Sequence, residues 1–252
     1  MPLRRAALCA AFLLVAFGSL DAQSVSGGEL THHSIWLVYG GDHPISSRAG
    51  LVFDAQLRLT EDGDRLRQLL VRPGISFALS PRLRLSGGYA LMGSRDDAND
   101  ALTPRRPEHR IWAGALVSHD VGPVTVSHRV KLEHRWLSGV RVDSAGAAMG
   151  EVWVHAERAR YQVRAAIPLT RGAGRHDVYV AGSDEMFASF GGYAGSMAFD
   201  QNRASLALGV RASPGVRVEL GYMLQSSAGD DGRFTERNHT VQLNVVSSAR
   251  IR

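Results

Sequence analysis

Val124-Thr125-Val126-Ser127-His128-Arg129-Val130-Lys131-Leu132-Glu133-His134-Arg135-Trp136-Leu137 is the stretch that decides the fold. Side chains alternate with period two along an extended strand. One face therefore carries Val124, Val126, His128, Val130, Leu132, His134 and Trp136. The other carries Thr125, Ser127, Arg129, Lys131, Glu133 and Arg135. A strand with one mostly apolar face and one wholly polar, cation-rich face fits a wall between lipid and water.

The same alternation recurs on both sides of this stretch. Leu51, Phe53, Ala55 and Leu57 oppose Asp54, Gln56 and Arg58; Leu69, Val71, Ile75 and Phe77 oppose Gln68, Arg72 and Ser76; Leu83, Leu85, Tyr89 and Leu91 oppose Arg84 and Ser86. Downstream, Ala159, Tyr161 and Val163 oppose Arg158, Arg160, Gln162 and Arg164. Leu206, Leu208 and Val210 oppose Arg203, Ser205 and Arg211. Val218, Leu220 and Tyr222 oppose Arg217 and Glu219, and Val241, Leu243 and Val245 oppose Thr240, Gln242 and Asn244. Ser34–Gly40, Arg110–Val121 and Asp177–Phe187 are weaker segments. No stretch beyond residue 31 sustains a helical period.

Tight turns at Ser80-Pro81-Arg82, Val121-Gly122-Pro123 and Ser213-Pro214-Gly215 alternate with longer polar loops at Gly93–Pro107, Ser138–Gly150, Ser189–Ala198 and Ser226–Glu236. A soluble β-sandwich needs neither this rhythm nor an apolar face on nearly every strand. The pattern predicts an all-β chain: an antiparallel, up-and-down transmembrane β-barrel with short periplasmic turns and longer extracellular loops. Roughly eleven segments are countable. Bacterial single-chain barrels have even strand numbers, so ten or twelve strands are expected, with Ser34–Gly40 not a full wall strand or one strand overlooked.

Arg4 and Arg5 precede an apolar run from Ala6 to Gly18, and Ser19-Leu20-Asp21-Ala22 supplies small residues at a cleavage point. This is the secretory signal pattern; the run is too short for a spanning helix. Residues 1–22 are expected to be a cleaved signal peptide, 23–32 a short linker and 33–248 one barrel domain. Cys9 is the single cysteine and lies inside the signal, which excludes disulfides and thiolate chemistry from the mature chain. Cleavage removes two of 29 basic and one of 24 acidic residues, taking the formal charge from +5 to about +4. The basic residues are spread along strands, which argues against nucleic acid.

The ordered series Leu70-Val71-Arg72-Pro73-Gly74, Gly88-Tyr89-Ala90, Glu108-His109-Arg110-Ile111-Trp112, Ser127 to Arg135, Arg160-Tyr161, Ile167-Pro168-Leu169, Asp184-Glu185-Met186-Phe187, Asp200-Gln201-Asn202-Arg203, Leu220-Gly221-Tyr222-Met223 and Asn238-His239 resembles the bacterial family called domain of unknown function 2490. The resemblance covers about residues 33–246. It implies an outer-membrane-type barrel and no established activity. The ending Ser248-Ala249-Arg250-Ile251-Arg252 lacks the terminal aromatic residue by which many barrels are read by the assembly machinery.

The expected lumen charge network comprises Arg58, Arg72, Arg84, Arg129, Lys131, Glu133, Arg135, Arg160, Arg164, Glu185, Arg203, Arg211, Arg217 and Glu219. Such a network braces a narrow wall through planar guanidinium forks, or forms a basic constriction favouring small anionic solutes. The best functional expectation is a narrow pore or transport-associated barrel in the outer membrane. Its partners would be outer-membrane lipid and the barrel assembly machinery. The alternative is a structural or surface-interaction barrel with a plugged lumen. A lipid-modifying enzyme would use outward His128, His134 or His239. Ser127 cannot serve His128, since neighbours on a strand point oppositely, and Ser118 on the preceding strand is a candidate that no motif supports. No catalytic residue, metal or cofactor is expected: His32-His33 lacks a spaced acidic ligand, and Asp96, Asp97 and Asp100 read as a solvated loop. Trp36, Trp112, Trp136 and Trp153 are expected in the aromatic girdles.

Overall fold

A computed structural model describes residues 30–94, 106–142, 148–170, 177–191, 198–228 and 234–250. The expected signal peptide and the acidic loop at Asp96, Asp97 and Asp100 lie outside them. Eleven strands follow in order: β1 (Leu30–Pro44), β2 (Ala49–Thr60), β3 (Leu66–Ala78), β4 (Leu83–Ser94), β5 (Arg106–Val121), β6 (Val124–Val142), β7 (Ala148–Pro168), β8 (Val178–Phe190), β9 (Ala198–Ser213), β10 (Val216–Ala228) and β11 (Phe234–Ser247). Each pairs antiparallel with the next, and β1 closes the barrel against β11.

The barrel closes as expected, and among the described residues it has eleven strands, one away from either expected number. In an up-and-down barrel, strand directions alternate, so the first and last of an odd number run the same way. The closing pair β1–β11 is accordingly parallel, from Leu30↔Glu236 to Gly41↔Ser247. The weak segment at Ser34–Gly40 is a full wall strand of 15 residues. It begins at Leu30, inside the stretch expected to be linker. The strands also run further into the expected loops: β6 reaches Val142, and β10 reaches Ala228.

One mouth carries the connections 45–48, 79–82, 122–123, 169–177 and 214–215, together with the end of β11. The other carries 61–65, 95–105, 143–147, 191–197 and 229–233, together with the start of β1. They are called the turn mouth and the loop mouth below. In the 61–65 connection Gly63, with φ of +71°, closes the turn by donating its N–H to the Thr60 carbonyl at 3.0 Å. A side-chain hydrogen bond from Thr60 to Asp64 (2.7 Å) holds that carboxyl below its usual range. At the loop mouth β6 outruns β5, whose pairing stops at Leu137, and β8 pairs with β7 only from Glu157 onward. The β6–β7 hairpin therefore projects beyond its neighbours.

The barrel is inside-out relative to a soluble protein. Ile75 is 67% and Leu220 61% exposed on the outside, whereas Glu133 is 1% and Arg72 3% exposed inside. Polar faces line the lumen as the alternation predicts. The small apolar cluster of Leu70, Ala90 and Trp112 also sits inside, with Val52 and Met92 against it. It exists because β3 and β4 approach through glycine. A Cβ on Gly74 would lie 2.6 Å from the Gly87 carbonyl oxygen and 2.7 Å from Trp112, and one on Gly88 would lie 2.3 Å from the Pro73 carbonyl oxygen. The β3–β4 ladder skips Arg72 and Pro73, where proline has no N–H to give. There the Trp112 indole N–H donates to the Tyr89 carbonyl at 3.3 Å.

Candidate functional site

The lumen is organised around Glu133 on β6. Arg158 donates to its Oε2 from Nη2 at 2.7 Å and from Nε at 3.1 Å. Arg160 donates to Oε1 at 2.8 Å. Arg72 and Arg110 approach the same carboxylate at 3.6 Å. Four guanidinium groups from β3, β5 and β7 thus converge on one carboxylate, because alternation turns all of these positions inward. The chain of ion pairs continues in both directions. Glu108 takes Arg110 at 2.7 Å and also Arg135. Glu185 takes Arg160 at 2.8 Å and Arg129 at 3.8 Å. Asp54 meets Arg72 at 3.5 Å.

Aromatic faces also carry cations of this layer, both those that meet a carboxylate, such as Arg158 and Arg160, and others such as Arg58. Arg58 lies 3.9 Å from the Trp36 ring centroid, with Arg203 at 5.0 Å from the same ring. Phe187 faces Arg160 and Arg203, each at 4.7 Å, and Arg158 at 5.2 Å. Lys131 Nζ lies 4.7 Å from the Trp112 ring. A desolvated cation over an aromatic face gains about 2 kcal/mol. Trp36 and Trp112 are therefore lumen residues, 4% and 3% exposed, and not part of an outer girdle. They share strand parity with Ser34 and Arg110. Trp153 is exposed on the outside, beside His109 at 5.2 Å, and Trp136 packs against His155 at 5.6 Å.

Above this layer, toward the loop mouth, opens a cavity of about 530 Å³. Arg58, Arg67, Arg72, Arg110, Arg135, Arg158, Arg160 and Arg203 line it, with Gln56, Gln68, Gln201, Gln225, Asn238 and the carboxylate of Glu236. Arg58 gives hydrogen bonds to Gln68 at 2.6 Å and to Gln56 at 2.9 Å. The buried Nε atoms of Arg58 and Arg72 have no hydrogen-bond partner among the described residues. Such donors in a basic cavity are places where an anion's oxygens gain more than water's.

Of the expected network, Arg58, Arg72, Arg129, Lys131, Glu133, Arg135, Arg160, Glu185 and Arg203 meet in this central layer. Arg84 pairs with Asp42 at 3.3 Å, and Arg164 with Glu219 at 2.5 Å, both nearer the turn mouth. Tyr179 also donates to Glu219 at 2.7 Å. Arg211 and Arg217 are exposed at the turn mouth; Arg211 pairs with Asp177 at 3.7 Å. Glu108, Arg110 and Arg158 join the layer although they are not in the expected network; their parity with Trp112 and Arg160 is the signal that points them inward. Outside the barrel, His128 meets Tyr161 at 2.8 Å and stacks on His119 at 5.4 Å. Ser118 and Ser127 are directly paired positions on the lumen-facing parity, away from that imidazole. His33 faces outward, stacked on His239 at 5.3 Å.

The family described as "Protein of unknown function (DUF2490)" matches residues 33–236. The chain belongs to the DUF2490 family. The match runs from within β1 to the start of β11, so the charged layer falls inside the family's common region, with all of the vestibule lining except His32 and Asn238. This DUF2490 chain is also similar to an uncharacterized protein of Methylorubrum extorquens, at 28% identity over 247 residues, covering 94% of this chain and 95% of the relative.

Proposed function

We propose that this DUF2490 chain is an exported outer-membrane barrel that takes small anionic solutes into the loop-mouth vestibule and conducts them slowly. The observation that carries the reading is the cavity lined by eight arginines over a layer in which cations outnumber carboxylates. In the central layer Arg58, Arg72, Arg110, Arg129, Lys131, Arg135, Arg158, Arg160 and Arg203 face Asp54, Glu108, Glu133, Glu185 and Asp200. The apolar exterior supports placement in lipid, since water-exposed patches of this extent are rare on soluble monomers. The 12-residue span of β2 or β4 exceeds the roughly 9–11 residues a tilted strand needs to cross a bilayer. The signal-like N-terminus supports export, with delivery by the barrel assembly machinery. The reading is of a non-enzymatic barrel.

Planar-bilayer recording of the purified protein tests this. The expected result is a small conductance whose reversal potential in a KCl gradient is that of an anion-selective path. Selectivity falls in Arg58→Ala/Arg203→Ala. Absence of current from both the wild type and Glu133→Ala, which opens the central layer, would sink the conducting role. A plugged barrel that only binds anions is the second reading. It is favoured by the burial of Glu133 with its arginines across the lumen, and it predicts anion binding without current.

A further inference from the structure

Three of the outward histidines share one arrangement. His109, His128 and His239 each have Nδ1 against a tyrosine hydroxyl, from Tyr89, Tyr161 and Tyr222 respectively. These are amphipathic aromatic pairs suited to a headgroup layer. At the base of the projecting β6–β7 hairpin the arrangement differs. His134 Nδ1 lies 3.2 Å from Glu157 Oε1. The His155 ring lies 6.0 Å from that of His134 at an interplanar angle of 16°. One donor atom from each of the three residues falls within 4.8 Å of the others.

We propose that His134, His155 and Glu157 form a three-ligand site for a zinc-class divalent cation on the outer surface of the barrel. Register supplies the geometry: His134 is directly opposite Glu157, and His155 is opposite Trp136, one same-face position along. Two imidazoles and one carboxylate are a donor set for zinc, with metal–ligand bonds of about 2.0–2.2 Å and a fourth position left for water or an external ligand. Such bonds place tetrahedral donors about 3.5 Å apart. Closing from 4.8 Å takes rotation of exposed side chains over a fixed backbone. Trp136 packs against the His155 ring and limits its freedom. The proposal does not depend on what the lumen does.

The test is cobalt and zinc binding to the full mature chain, purified without a histidine tag, stripped with chelator and folded in detergent. Wild type is expected to bind one Co²⁺ with the visible absorption of a four-coordinate site, displaced by Zn²⁺. His155→Gln and Glu157→Gln should each weaken binding about ten-fold or more, while His128→Gln binds as wild type. Heat-modifiable migration on gels checks that each variant is folded, and His155→Asn replaces any that is not. No binding by wild type, or equal binding by wild type, Glu157→Gln and His155→Gln, overturns the site.

Discussion

Glu133 exchanges the water around a carboxylate for four arginines. Breaking a buried pair by removing one partner leaves uncompensated charge and costs roughly 3–5 kcal/mol. Glu133→Gln keeps the shape and removes the charge, so a loss of that order is expected, read as a lower urea midpoint in detergent or lipid. Glu219→Gln should lose clearly less, because its partner Arg164 is 27% exposed and water takes over part of the role. The inward direction of these residues was legible from alternation alone. Their pairing was not: Arg160 bridges Glu133 and Glu185 across three strands, and period two says nothing about which inward cation reaches which carboxylate. Trp36 and Trp112 were misplaced because an aromatic residue in a barrel suits a girdle or a cation equally well by composition. Parity with Ser34 and Arg110 was the deciding signal.

Among the strands, β1 and β11 carry the feature least visible in sequence. β1 reads weakly because its inward side chains are Ser34, Trp36, Val38 and Gly40, not a charge ladder. The parity argument for even barrels then pulled the count away from the eleven segments actually countable. The seam is held inside by Ser34 Oγ and Thr240 Oγ1 at 2.9 Å, with Ser34 also donating to Asn238 at 3.1 Å. Replacing both Ser34 and Thr240 by cysteine, in a chain without Cys9, should give a disulfide on mild oxidation, seen as a faster-migrating unfolded band after denaturation. Failure of that pair to cross-link, with the folded band intact, would show that the barrel closes differently.

For the whole molecule, the exterior sets the solvent. Leu220→Arg, at a position 61% exposed, should destabilise the barrel in lipid by about 2–4 kcal/mol if it lies near the bilayer midplane. The same change on a water-facing surface would be nearly neutral. Urea titration in vesicles distinguishes the two. The fold class was legible from the chain because every wall strand repeats the same two-sided chemistry. The cavity was not, since it depends on how far inward side chains reach across a closed cylinder.

The parallel seam also decides where the ends of the wall emerge. β1 starts at the loop mouth and β11 finishes at the turn mouth. In the membrane-spanning barrel proposed above, two epitopes, one ahead of Leu30 and one after Ser247, would therefore answer to antibodies from opposite sides. A peptide joining them would have to span the length of a wall strand.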